Sequence, residues 1–76
     1  MKFAIKTNSM PLMLKTDDWM AGENSKTGRP FLSIGRHIYS LDAESFEMIY
    51  FMSQNQLFDD NMTLVFDRGH VDIWGF

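Results

Sequence analysis

The fifteen residues MTLVFDRGHVDIWGF, positions 62–76, alternate apolar and polar side chains on both sides of Arg68-Gly69. That pattern predicts two strands, Met62 to Asp67 and His70 to Phe76. Gly69 supplies the positive φ that a tight hairpin turn requires. A two-residue loop at 68–69 pairs Phe66 with Val71 and Leu64 with Ile73 on one apolar face. It pairs Asp67 with His70, Val65 with Asp72 and Thr63 with Trp74 on the other. A one-residue slip would mix the two sets, so the register is well specified.

Working outward from this hairpin, Asp42 is a good N-cap and Ala43–Gln54 reads as a helix, with Glu44 and Glu47 placed where the helix dipole favours negative charge. Ala43, Phe46, Ile49 and Tyr50 form its expected buried stripe, and Met48 and Phe51 are expected on the opposite side. Before the helix, Phe31–Leu41 reads as one central strand. Leu32, Ile34 and Ile38 share one face, Phe31, His37 and Tyr39 share the other, and a bulge is expected at Gly35. Thr16-Asp17-Asp18-Trp19 suggests one helical turn. Glu23–Pro30 (ENSKTGRP) suggests a mobile polar loop, and its glycine spacing does not fit a phosphate loop. Lys2–Thr7 and Met10–Lys15 read as an N-terminal hairpin turning at Asn8-Ser9, with Pro11 marking the second strand as an edge. The expected fold is α+β: one domain over 1–76, a mostly antiparallel sheet of four to five strands, and one helix packed on one face.

Composition narrows the function classes. Seven Phe, two Trp, two Tyr and seven Met stand against no Cys, so large side chains replace the disulfides or metals that small domains often need. The lack of Cys excludes a disulfide scaffold, a thiolate zinc site and a cysteine nucleophile. No apolar run approaches the roughly 20 residues of a membrane span, and the opening segment is too short for a secretory signal. A cytoplasmic protein is the expectation. The net charge of −3 is unevenly distributed. Residues 1–41 carry six Lys and Arg against three carboxylates, while residues 42–76 carry Arg68 alone against seven. Such asymmetry suits an acidic face meeting a basic partner, unless the fold interleaves the halves.

Two candidate chemistries involve histidine. Asp67 and Asp72 flank His70 on one hairpin face, as an oriented general base or a weak metal site would require. His37 and His70, with Arg36, Arg68 and Lys26, could in principle serve a small ribonuclease or hydrolase as acid and base. The segment Gly69-His70-Val71-Asp72-Ile73-Trp74 also resembles the His-bearing strand of the type VI secretion amidase effectors, which are cysteine peptidases of the papain-like kind. The resemblance covers six residues and implies that His70 matches that family's catalytic histidine. With no Cys to act as nucleophile, the amidase activity is not carried over.

The favoured expectation is therefore a non-catalytic protein-binding module with no metal or cofactor. Glu44, Glu47, Asp59 and Asp60 would meet a basic surface on a protein partner, with Met48 and Phe51 as apolar anchors and Trp74 and Phe76 as outward aromatics needing cover. Aspartates between those aromatics argue against direct nucleic-acid binding. By compositional analogy alone, the profile resembles the short acidic α+β proteins with which phages and mobile elements block host enzymes or defence complexes, CRISPR effectors among them. A homodimer is the further alternative.

Overall fold

A computed structural model describes residues 1–6 and 11–75, the side chain of Pro11 excepted. The chain is α+β. Strands β1 (Lys2–Lys6), β2 (Pro11–Lys15), β3 (Trp19–Glu23), β4 (Pro30–Ile34) and β5 (His37–Ser40) precede helix α1 (Ala43–Gln54), and β6 (Thr63–Asp67) and β7 (His70–Trp74) close the order. They make two sheets in place of the single sheet expected: β2-β1-β6-β7 and β3-β4-β5. All pairings are antiparallel except β1 with β6, which is parallel.

The closing hairpin has the expected register, with Phe66 opposite Val71, Leu64 opposite Ile73 and Asp67 opposite His70. Arg68 (φ 49°) and Gly69 (φ 90°) both take the left-handed conformation that a two-residue turn of the favoured twist demands. The N-terminal hairpin also forms and β2 is an edge, as Pro11 implies. Its turn at Asn8-Ser9 lies outside the described residues.

Two segments differ from expectation. Trp19 begins a strand, not a helical turn, because its partner is the inward-facing Ile34 of β4. Phe31–Leu41 is two strands instead of one. Gly35 (φ 59°) opens a two-residue turn that pairs Ile34 with His37 and Leu32 with Tyr39. That turn inverts the parity of everything after it. Tyr39 therefore packs inward, its ring 5.0 Å from that of Phe66, and Ile38 points out, 72 % exposed. The 23–30 segment is the exposed connection of the β3–β4 hairpin. Asn24 Oδ1 accepts from the Lys26 and Thr27 amides, and the Gly28 amide donates to the Asn24 carbonyl.

The core lies between the inner faces of the two sheets. Phe3, Ile5, Leu64, Phe66 and Val71 from the larger sheet meet Leu32 and Ile34 from the smaller, and Leu41, Ile49 and Met52 add to them from the helical side. Trp19 joins Phe3 to Phe58, with edge-on ring contacts of 5.7 and 5.6 Å. Helix α1 packs against β3, β4 and β7. It buries Ser45, Ile49 and Met52, so the buried stripe is rotated from the one expected. Ala43 and Tyr50 are exposed and Phe46 is half-buried. Among the described residues no helix is long and apolar enough to cross a membrane.

Candidate functional site

The helix start and the closing hairpin meet at one polar cluster. Asp42 caps α1, its Oδ1 accepting from the Ser45 amide at 2.7 Å. Its own amide donates to the Gly69 carbonyl at 2.7 Å, which joins the cap to the hairpin turn. Ser45 is fully buried, and its Oγ accepts from the Val71 amide at 2.7 Å. In the β6–β7 register the Val71 N–H points away from β6, toward the open edge of the sheet. The helix thus supplies a side-chain acceptor to an edge amide that has no strand beside it.

His70 sits over this junction. Its Nδ1 lies 3.0 Å from Asp42 Oδ2 and 3.2 Å from Ser45 Oγ, and its Nε2 lies 3.3 Å from Asp72 Oδ1. The hydrogen bond to Asp42, with the negative charges of Asp42 and Asp72, raises the imidazole above its ordinary pKa of 6.5. The Ser45 hydroxyl and amide, with His70 behind them, hold the Asp42 carboxyl below its ordinary 3.8.

A serine, a histidine and an aspartate within hydrogen-bond reach invite comparison with a nucleophile–base–orienter set. The geometry differs in kind. In such a set one ring nitrogen is left to the serine and the carboxylate holds the other; here the Asp42 carboxylate crowds the same Nδ1 that Ser45 approaches, and the exposed Asp72 stands on Nε2. Ser45 Oγ is also buried and already occupied by the Val71 amide. Asp67, expected beside His70, turns to Arg68 Nε at 3.3 Å in an exposed pair. Among the described residues no three His, Asp or Glu side chains converge as a cation site needs. His37 starts β5 with its ring tilted against Tyr39. That strand spans about 10 Å, and Asp42, the partner of His70, lies beyond its other end. The two histidines do not share a site. What the cluster does is hold the helix to the sheet edge. Asp42 and Ser45 were not anticipated as partners of His70; the signal was a serine on the same side of the helix as Ile49 and Met52.

The residues expected to meet a partner are dispersed. Glu44, Glu47 and Phe51 share the solvent side of α1, and Phe51 is 61 % exposed. Met48, expected beside Phe51, turns instead toward the core and is half-buried against it, because its direction falls next to the Ser45–Ile49–Met52 stripe. Tyr50, expected inside, is 56 % exposed, its ring 6.0 Å from that of Phe46. Asp59 and Asp60 are exposed beyond the opposite end of the helix, and Asp59 caps its own turn through the Asn61 amide. They do not extend the Glu44–Glu47 patch, since the helix rises about 1.5 Å per residue between them. Trp74 is 64 % exposed at the end of β7, and Phe76 lies outside the described residues. A second exposed apolar row, Met20 and Ile38 on either side of Ser33, marks the outer face of the smaller sheet. It was missed because the parity inversion at Gly35-Arg36 was missed.

No protein-family model, curated protein or solved structure matches the chain.

Proposed function

We propose that the protein is a small non-catalytic binding module that acts in the cytoplasm by covering a basic surface of a protein partner. The observation that carries this reading is the solvent side of α1. There Phe51 stands exposed beside Glu44 and Glu47, Tyr50 is exposed on the flank of the same side, and no residue of the helix is a cation. Aromatic side chains at the centre of a patch supply most of the binding energy, and a charged rim sets orientation and association rate. Packing leaves these rings free, because the helix already satisfies the core through Ile49 and Met52. Occlusion of a host enzyme or defence complex by a phage or mobile-element protein is the biological setting that suits such a module.

The test is affinity capture from the native host with the wild-type protein, Phe51→Ala and the double reversal Glu44→Lys/Glu47→Lys. A partner retained by the wild type and lost by both variants, at unchanged thermal unfolding, supports the reading. Equal retention by all three would sink it, as would a wild-type partner lost only on His70→Ala.

A further inference from the structure

We propose that the outer face of the four-stranded sheet is a self-association surface, on which a second copy of this chain docks about a two-fold axis parallel to the strands. This surface is separate from the solvent side of α1. Helix α1 lies beside β3, β4 and β7.

The registers lay the outer face out in three rows across β2, β1, β6 and β7. One row is Lys15, Lys2, Thr63 and Trp74; the next is Met13, Ala4, Val65 and Asp72; the last runs from Lys6 through Asp67 to His70. The lysines all stand on β1 and β2, the aspartates all on β6 and β7. The charge asymmetry of the sequence halves therefore reappears as two sides of one sheet. The middle is small and apolar, with Ala4 buried and Val65 half-buried, while Met13 and Trp74 are exposed on the two opposite edge strands, β2 and β7.

A face that is positive on one half and negative on the other is complementary to itself in one orientation. A two-fold axis along the strands sets β2 over β7 and β1 over β6 of the partner copy. Each Lys6 then faces an Asp67, each Lys15 faces the ring of a Trp74, and each Ala4 faces a Val65. Opposite charges meet twice, an ammonium meets an aromatic face, and small side chains let the sheets approach to about 10 Å. A two-fold axis across the strands would instead set lysine over lysine and aspartate over aspartate, so charge selects between the two. The same contact offsets a cost within the single chain, where Lys2 and Lys15 stand directly opposite each other, an arrangement of like charges that disfavours pairing.

The surface is small. Four strands about 4.8 Å apart and five residues long at about 3.3 Å each span roughly 300 Å² of sheet plane. That places the pair in the weak, transient class, with a dissociation constant on the order of 100 µM.

Sedimentation velocity of the full chain from roughly 10 µM to roughly 1 mM tests this. The wild type is expected to move from monomer to dimer across that range. Lys6→Glu and Asp67→Lys each make both symmetric contacts repulsive and should each weaken association about tenfold or more. Mixing the two variants restores attraction at both contacts and should restore the dimer. Concentration-dependent amide shifts in the wild type need no variant, and they should be confined to residues 2–6, 11–15 and 63–74, with the Trp74 indole among them. A wild type that stays monomeric throughout overturns the proposal. So does a dimer that forms equally well in Lys6→Glu and Asp67→Lys, or one whose shifts fall on α1 or on Met20 and Ile38.

Discussion

Ser45 shows how one small polar residue decides a junction between elements. A hydroxyl buried without partners would cost about 1–3 kcal/mol, and so would the edge amide it serves if left alone. Together they satisfy each other, and no buried side-chain polar atom among the described residues lacks a partner. Ser45→Ala keeps the helix propensity and removes the hydroxyl, leaving the Val71 N–H buried and unpaired and taking one polar contact from the Asp42–His70 pair. The expected loss is about 1–3 kcal/mol, which for a chain of this size lowers the unfolding midpoint by roughly 5–20 °C. Ser53→Ala, on the exposed side of the same helix, should stay within about 0.5 kcal/mol of the wild type. Thermal unfolding followed by circular dichroism compares the two, and equal midpoints would remove Ser45 from this role. His70 depends on the same residue, since the helix that Ser45 holds to β7 carries Asp42 to the imidazole.

The ends of α1 illustrate the same economy at the scale of an element. At its C-terminus the Gln56 amide donates to the Ser53 carbonyl and the Leu57 amide to the Met52 carbonyl, while Gln56 takes φ 54°. These are the two bonds of a Schellman cap, whose left-handed position favours glycine. A glutamine there costs about 1 kcal/mol of backbone strain. Gln56→Gly should accordingly stabilise the protein by about 0.5–1 kcal/mol, read as a higher denaturant midpoint with unchanged slope. A lower midpoint would mean that the Gln56 side chain contributes more than its backbone costs. This helix was legible in the sequence to the residue, as was the register of the closing hairpin, because cap chemistry and strict alternation act over a few neighbouring positions. The division into two sheets was not. It depends on a two-residue turn at Gly35-Arg36, and a glycine inside an apolar run reads as a bulge as readily as a turn. Once that turn was missed, the outward placement of Ile38 and the inward placement of Tyr39 followed it. The stripe on α1 failed for a related reason: Ser45 occupies a core-facing position that an apolar count passes over, and Tyr50 was assigned inside in its stead. The role of His70 was hidden because its main partner is Asp42, distant in sequence, and nothing local distinguishes that contact from the one expected with Asp67.

For the molecule as a whole, the His70–Asp42 pair couples the joint between helix and sheet to pH. The imidazole is raised above 6.5 by Asp42 and Asp72, so its contribution to stability is complete below pH 6.5 and is lost as pH rises through the folded value. The Asp42 carboxyl is lowered below 3.8 by Ser45. Its contribution is present above pH 3.8 and disappears as pH falls through its folded value. Both are in force between pH 3.8 and 6.5, and the alkaline loss runs through the raised value of the imidazole. On the hairpin that carries His70, Asp67 and Arg68 form an exposed pair with each other, for which exposure to water leaves little influence. A second effect runs in the same direction, since the net charge of −3 at pH 7 shrinks on acidification and relieves self-repulsion. The two are separable by substitution. Denaturant midpoints of the wild type should be higher at about pH 5.5 than at alkaline pH above the folded value of the imidazole. His70→Gln preserves the size of the side chain and leaves the charge unchanged wherever the imidazole is neutral, so it leaves the general repulsion in place. Its midpoints should differ between the two conditions by much less than those of the wild type, chiefly through a drop at the acid end. If His70→Gln retains the full wild-type difference, the coupling lies in overall charge and the imidazole junction has no part in it.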